Sequence, residues 1–352
     1  MTPSGGRLLS NQLALRQKSK PANYMIQHSD SEFHQRDFND RTWTETTFLP
    51  FFIPEPGIFG NIYVLARPNL GVAISSILVS EGFCVQPYEV DFTDSQMHLP
   101  CPENFSRYKL ENGLSVESLD GPKAYRFDYE SALETCAFHL NFQGFHQPFD
   151  PHDPAENPLI SNKADARVGT AWMNGHFEVK GHVTGELILR GKSYQVDCYE
   201  GMDHSWGPRS EVGTRSVSWI SINFGPELAF HIAVPLDLND GEVTYDKLRF
   251  GFVVENGIVH GLVDSKIEAS RAELLPIGIS ICVKDIRGKE FEIFGSAVAG
   301  HPWYSFNPCH VSFQSCMRYR YQDKTGYGEV GDIFGLDYLG DKMSRAGKKS
   351  RK

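Results

Sequence analysis

Between residues 30 and 340 the chain is broken every few positions by Gly, Pro or Asn, and the stretches between breaks are short, β-branched and aromatic. A helical core needs apolar residues recurring every 3.6 positions over ten or more residues. That period is scarce here, and Glu130–Glu134 supplies one helical turn at most. Ile62–Ala66, Ala73–Val79, Ala124–Tyr129 and Thr135–Phe142 read as strands of a first half. Ser216–Phe224, Ala229–Val234, Arg249–Glu255, Ile277–Lys284, Glu290–Phe294 and Val311–Tyr321 read as strands of a second. The clearest hairpin has apolar residues at 183, 187 and 189, a turn Arg190-Gly191-Lys192, and then a phase switch to Tyr194, Val196 and Cys198. The pattern specifies an all-β chain.

The 352 residues suit two domains of ordinary size. Gln147–Pro158 carries four prolines and reads as the connection between them. The expected division is a basic tail at 1–29, an N-terminal β domain at 30–165, a C-terminal β domain at 166–340 and a second basic tail at 341–352. Net charge is -10, yet residues 1–29 hold no acid and Lys342–Lys352 hold six basic groups; without those six the remainder stands at -16. Such a body repels nucleic acid. No apolar run approaches the roughly 20 residues of a membrane helix. The acid-poor start has the composition of a transit peptide, but it has no secretory apolar core, and a cytoplasmic location is the expectation. Seven cysteines with no C-x-x-C pair fit reduced thiols better than a disulfide or zinc scaffold.

Chemistry concentrates in Cys198-Tyr-Glu-Gly-Met-Asp-His-Ser-Trp-Gly-Pro-Arg209, which follows the hairpin and contains Gly201, Gly207 and Pro208. These breakers suggest a loop at a strand mouth, where rigid β scaffolds display reactive groups. A His beside a carboxylate serves acid–base chemistry, and Trp offers a face to a cation. The alternative is a structural corner in which the same residues pack and pair.

The string Gly201–Arg209, preceded by Trp172-Met-Asn-Gly-His176, resembles the Asp-His-x-Trp-Gly signature of the tandem lipocalin-like superfamily. That superfamily includes carotenoid 1,2-hydratase and kievitone hydratase, and the chain is most similar to its uncharacterised bacterial branch. The resemblance implies two lipocalin-like antiparallel β-barrel or sandwich domains around a pocket for a hydrophobic ligand. It implies His204 and Trp206, with Asp203 preceding them, as catalytic residues; Tyr199, Arg209, Trp219 and His231 are the candidate substrate contacts. The stretch Trp219–Val234, where a further acid is expected, offers His231 and Asn223 but no carboxylate.

The function implied is a cofactor-independent hydratase or lyase acting on a C=C bond of an isoprenoid, steroid-like or aromatic molecule. Its rival is a non-catalytic carrier of an apolar ligand. No metal or cofactor is called for. His146, Asp150, His152 and Asp153 have ligand chemistry but sit among prolines and read as a solvated linker. Gly326-Tyr-Gly-Glu-Val-Gly331 matches a dinucleotide fingerprint in letters only, because no room remains for its helix and acid; its Glu329 reads as a solvated turn residue before it reads as a second carboxylate at a barrel rim. His301–Tyr304 reads as a loop before the last long strand.

Overall fold

The computed structural model describes residues 26–34, 36–161, 175–213 and 216–349. The first unit contains β1 (Trp43–Ile53), β2 (Ile58–Arg67), β3 (Val72–Glu81), β4 (Phe92–Pro100), β5 (Arg107–Lys109), β6 (Ser115–Asp120), β7 (Ala124–Glu130), β8 (Cys136–Gly144), β9 (Gly175–Leu189) and β10 (Lys192–Pro208). These strands form one antiparallel sheet in the order β4-β3-β2-β1-β10-β9-β8-β7-β6-β5, a half-barrel.

The second unit contains β11 (Ser216–Asn223), β12 (Leu228–Asn239), β13 (Glu242–Tyr245), β14 (Phe250–Glu255), β15 (Ile258–Ala272), β16 (Leu275–Asp285), β17 (Glu290–Asn307), β18 (His310–Tyr321) and β19 (Lys324–Gly335). Its order is β11-β19-β18-β17-β16-β15-β14-β12-β13, and pairing of β11 with β12 closes eight strands into a barrel. The expected all-β, two-unit lipocalin-like fold is what the chain adopts. No described helix is long and apolar enough to cross a membrane.

Local chemistry explains the hairpins. Leu189 pairs with Lys192, so the β9–β10 turn has two residues rather than the three expected. Arg190 (φ 50°) and Gly191 (φ 77°) take the left-handed conformations of a twist-matched tight turn. Gly185 is the harder constraint. Its φ is +149°, and a Cβ built there would lie 1.9 Å from the carbonyl oxygen of His139 on β8. Gly185→Ala should therefore cost roughly 2–4 kcal/mol, the range for a strained backbone combined with overpacking. A urea midpoint within experimental error of the parent's would remove this constraint.

Four expectations are corrected. β9 and β10 belong to the first sheet, so the motif that was expected in the C-terminal domain sits in the N-terminal unit, and the second unit begins at Ser216. The Pro-rich segment accordingly connects two neighbouring strands of one sheet rather than two domains. It is packed: Phe149 exchanges backbone hydrogen bonds with Glu178 at 2.8 and 3.0 Å, and its ring lies tilted 4.7 Å from that of Phe252 of the barrel. His146, Asp150 and His152 are buried rather than solvated. The expected tail at 341–352 is, over its described part, the end of helix α1 (Leu336–Lys349), held to β12 by Tyr338 and Lys342 on Asp237.

The two units share a core. Trp303 of β17 is fully buried against Tyr63, Leu65 and Leu78 of the half-barrel, and its indole N–H donates to Ser76 Oγ at 3.1 Å. His301 meets Ser80 Oγ at 2.7 Å and Asn61 Nδ2 at 3.2 Å. His301–Tyr304 is thus strand, and its role is to dock the barrel.

Candidate functional site

Side chains of a strand alternate between its two faces. On β9, Phe177 and Val179 enter the core of the half-barrel, which leaves His176, Glu178 and Lys180 on the opposite face, toward the barrel. On β10, Met202 joins that core while Gly201, Asp203 and Ser205 pair with Lys180, Glu178 and His176. The motif expected as a loop is therefore strand, and its residues are divided. His204 and Trp206 point into the half-barrel; Asp203 and Ser205 point at the second unit.

Between the units lies a cavity of about 60 Å³, with a second of about 10 Å³ beside it. The larger one holds a few waters or the reacting end of a bigger ligand. Phe48, Asp203, Trp219 and Glu329 border both spaces. Arg209, His176, Tyr63 and Phe306 complete much of the larger one; Glu178, Lys180, Glu200 and His231 surround the smaller.

Most of these groups are tied down. Lys180 Nζ donates to Ser221 Oγ at 2.7 Å, and Ser221 donates to Glu200 Oε2 at 2.5 Å. The Trp219 indole N–H donates to Glu178 Oε1 at 2.8 Å, and His176 Nε2 lies 2.9 Å from the same oxygen. His231 Nε2 is 3.3 Å from it, too poorly aligned for a hydrogen bond. Arg209 donates to Ser205 Oγ at 2.9 Å. Two carboxyls differ. Asp203 from the half-barrel and Glu329 from the barrel accept no hydrogen bond from any described residue, and both face the cavity.

Burial governs the charges. It pushes Glu178 up to about 8 and Asp203 up to about 7, and it raises Glu200 and Glu329 as well, although Lys180 opposes each of these shifts. Burial lowers His176 to about 4, so its imidazole is neutral at pH 7. Its Nδ1 is buried without a hydrogen-bond partner among the described residues.

The raised Glu178 has a sign that can be tested. Between pH 4.5 and about 8 the folded state holds a proton that the unfolded chain has released, so stability falls as pH rises through that window. Gln does not titrate. Glu178→Gln should therefore gain on the parent by up to about 1 kcal/mol per pH unit from pH 5 to 8, read as a widening difference in Tm. A pH-independent difference would contradict the assignment.

Residues 28–331 match the sequence profile of DUF7064, a domain of unknown function. The chain belongs to the DUF7064 family. No curated protein matches its sequence. Among solved structures, the AttH candidate of Nitrosomonas europaea aligns with TM-score 0.59 at 12% identity, over 90% of this chain and 98% of that one. CghA aligns with TM-score 0.56 at 8% identity, over 84% and 88%. Kievitone hydratase from Nectria haematococca aligns with TM-score 0.50 at 9% identity, again over 84% and 88%. At such identities the likeness is one of fold, the tandem lipocalin-like fold that the motif resembles.

Of the expected site residues, this DUF7064 chain brings Asp203, Arg209, Trp219 and His231 to the cavities. It leaves three elsewhere. His204 is buried beside Glu45, Trp206 stacks on His34, and Tyr199 stacks on His182 at the outer face. Sequence reasoning missed His176, Glu178, Lys180 and Glu200 as cavity residues and read Glu329 as solvated, whereas it is buried. The available signal was His176-Phe-Glu-Val-Lys180, three ionisable residues at period two between apolar ones.

Proposed function

We propose that the inter-unit cavity of this DUF7064 protein is an acid–base site that adds water to, or removes it from, a C=C bond of a hydrophobic isoprenoid, steroid-like or aromatic small molecule. The observation that carries this reading is the pair of carboxyls, Asp203 and Glu329, which face one cavity from two units without a hydrogen bond to either from a described residue. Like charges confined to one buried site do not both ionise, so one carboxyl keeps a proton while the other is free to accept one.

For hydration, Asp203 gives its proton to one alkene carbon, leaving the positive charge on the other. Trp219, Phe48 and Phe306 line the space where that cation forms, and aromatic rings stabilise cations. Water adds to the cationic carbon, and its surplus proton passes to the carboxylate of Glu329. Proton transfer between the two carboxyls restores the start, and elimination is the same path reversed. His176, held through Nε2 to Glu178 Oε1 at 2.9 Å, stays neutral and closes one side of the larger cavity. The fold shared with kievitone hydratase supports the class of reaction.

The test is turnover of a panel of alkenes and tertiary alcohols in H₂¹⁸O, read by mass spectrometry. A hydratase incorporates the label into product alcohol. Recovery of every ligand unlabelled and unchanged, with tight binding, makes the chain a carrier.

A further inference from the structure

On the far face of β10 from the cavity, His204 meets two residues that the acid–base reading does not use. We propose that His34, Glu45 and His204 form a binding site for one divalent transition metal of the zinc type. Their ligand atoms all lie within 4.8 Å of one another. His34 Nδ1 is 3.0 Å and His204 Nε2 is 3.4 Å from Glu45 Oε2. Two ligand atoms held about 2.0–2.1 Å from a tetrahedral ion are separated by about 3.3 Å, so these spacings suit an ion at their centre.

The surrounding groups fix which atoms are offered. Glu45 is fully buried, and its Oε1 already accepts from the His34 backbone N–H at 2.8 Å and the Trp43 indole N–H at 3.1 Å. Only Oε2 faces the two imidazoles. His34 Nε2 lies 3.3 Å from Asp30 Oδ1, and a carboxylate on the outer nitrogen leaves Nδ1 as the ligand. The ring of His34 is clamped flat on Trp206, with centroids 3.7 Å apart and planes 5° apart.

A second observation points to a missing partner. His204 is 1% exposed, packed between Phe105 and Phe177, and its Nε2 has no hydrogen-bond partner among the described residues, with Glu45 Oε2 3.4 Å away. Leaving a buried polar atom unpaired is costly, on the order of 1–3 kcal/mol. A metal bond to that nitrogen removes the cost. Two imidazoles and one carboxylate suit zinc and its first-row neighbours, and do not suit the all-oxygen preference of calcium or magnesium. The site joins the segment before β1 to β1 and β10, so a bound ion staples the strand that carries Asp203.

The full-length protein, stripped with a chelator, should be titrated with zinc by calorimetry and with cobalt by visible absorption and tryptophan fluorescence. The expected result is one equivalent bound, cobalt bands of nitrogen–oxygen ligation without a thiolate charge-transfer band, quenching that disappears in Trp206→Phe, and a higher Tm with metal. His204→Ala and Glu45→Gln should weaken binding by at least about 100-fold and Asp30→Asn by roughly 10-fold, while His139→Ala, at an exposed histidine, leaves it unchanged. Glu45→Gln, nearly isosteric, keeps the test valid if His204→Ala fails to fold. Absence of stoichiometric uptake, a thiolate band, or uptake that survives both ligand variants overturns the site and leaves a histidine–carboxylate ion pair in its place.

Discussion

Asp203→Asn is expected to lower turnover by about 10²–10⁴-fold, the usual worth of a positioned proton donor or acceptor, while the fold persists. The substitution is nearly isosteric, and the carboxyl it replaces accepts no hydrogen bond from a described residue, so no polar network is broken. The loss should appear in kcat more than in KM, because the carboxyl acts on the bond being formed rather than on the body of the ligand. Glu329→Gln should show a loss of the same order, since the proposed path needs both groups. If each single variant loses activity but the double variant loses little more, the two act as one unit. A variant pair that keeps full turnover with an identified substrate would end the acid–base reading. Tm within a degree or two of the parent's would separate lost chemistry from lost structure.

The largest effect on stability is expected from Lys180→Met. Lys180 is the one Lys or Arg among the described residues around the smaller cavity, where it faces Glu178, Glu200 and Glu329. Burying an ion costs several kcal/mol, and removing one partner leaves the other charge uncompensated. The expected loss is about 3–5 kcal/mol, or roughly 10 °C in Tm. It should grow as pH rises, because each acid that keeps its proton at low pH needs no cation. A Lys180→Met protein within 1 kcal/mol of the parent at neutral pH would show that the acids are neutral without help.

Much of the architecture is legible in the residues. Alternation at 183–189 and 194–198 places a hairpin, and the structure makes those strands β9 and β10 with the turn at Arg190 and Gly191. What defeats the reading is glycine. Gly201 and Gly207 suggest that a loop follows, yet both lie inside β10, where Gly201 faces Lys180 Nζ. Gly326 and Gly328 suggest a turn around Glu329. They instead allow β19 to lie close on β11, since a Cβ on either would sit 2.1–2.2 Å from a carbonyl oxygen of Asn223 or Ser221. Close approach and turning require the same residue, and sequence alone does not separate them.

The candidate site is legible in half. Asp203 is conspicuous because chemistry crowds around it, but which neighbours share its face depends on strand alternation, and that divides Asp203 from His204. His176, Glu178 and Lys180 have the spacing of a solvent-facing row. They are inward only because a second sheet covers them, and such covering is a fact of tertiary structure that no local window contains. The domain boundary failed for a related reason. Prolines mark where a strand cannot pass, and they are equally at home in a packed strap such as the one carrying Phe149.

The carboxyls between the units give the assembly a chemical stoichiometry. Glu178 belongs to the half-barrel and Glu329 to the barrel, and each owes its raised affinity for a proton to being shut away from water. Drawn apart and hydrated, both would release protons at neutral pH; brought together, they take them up. Docking of the two halves is in that sense a protonation reaction, and acidity of the medium acts on it as concentration acts on a ligand.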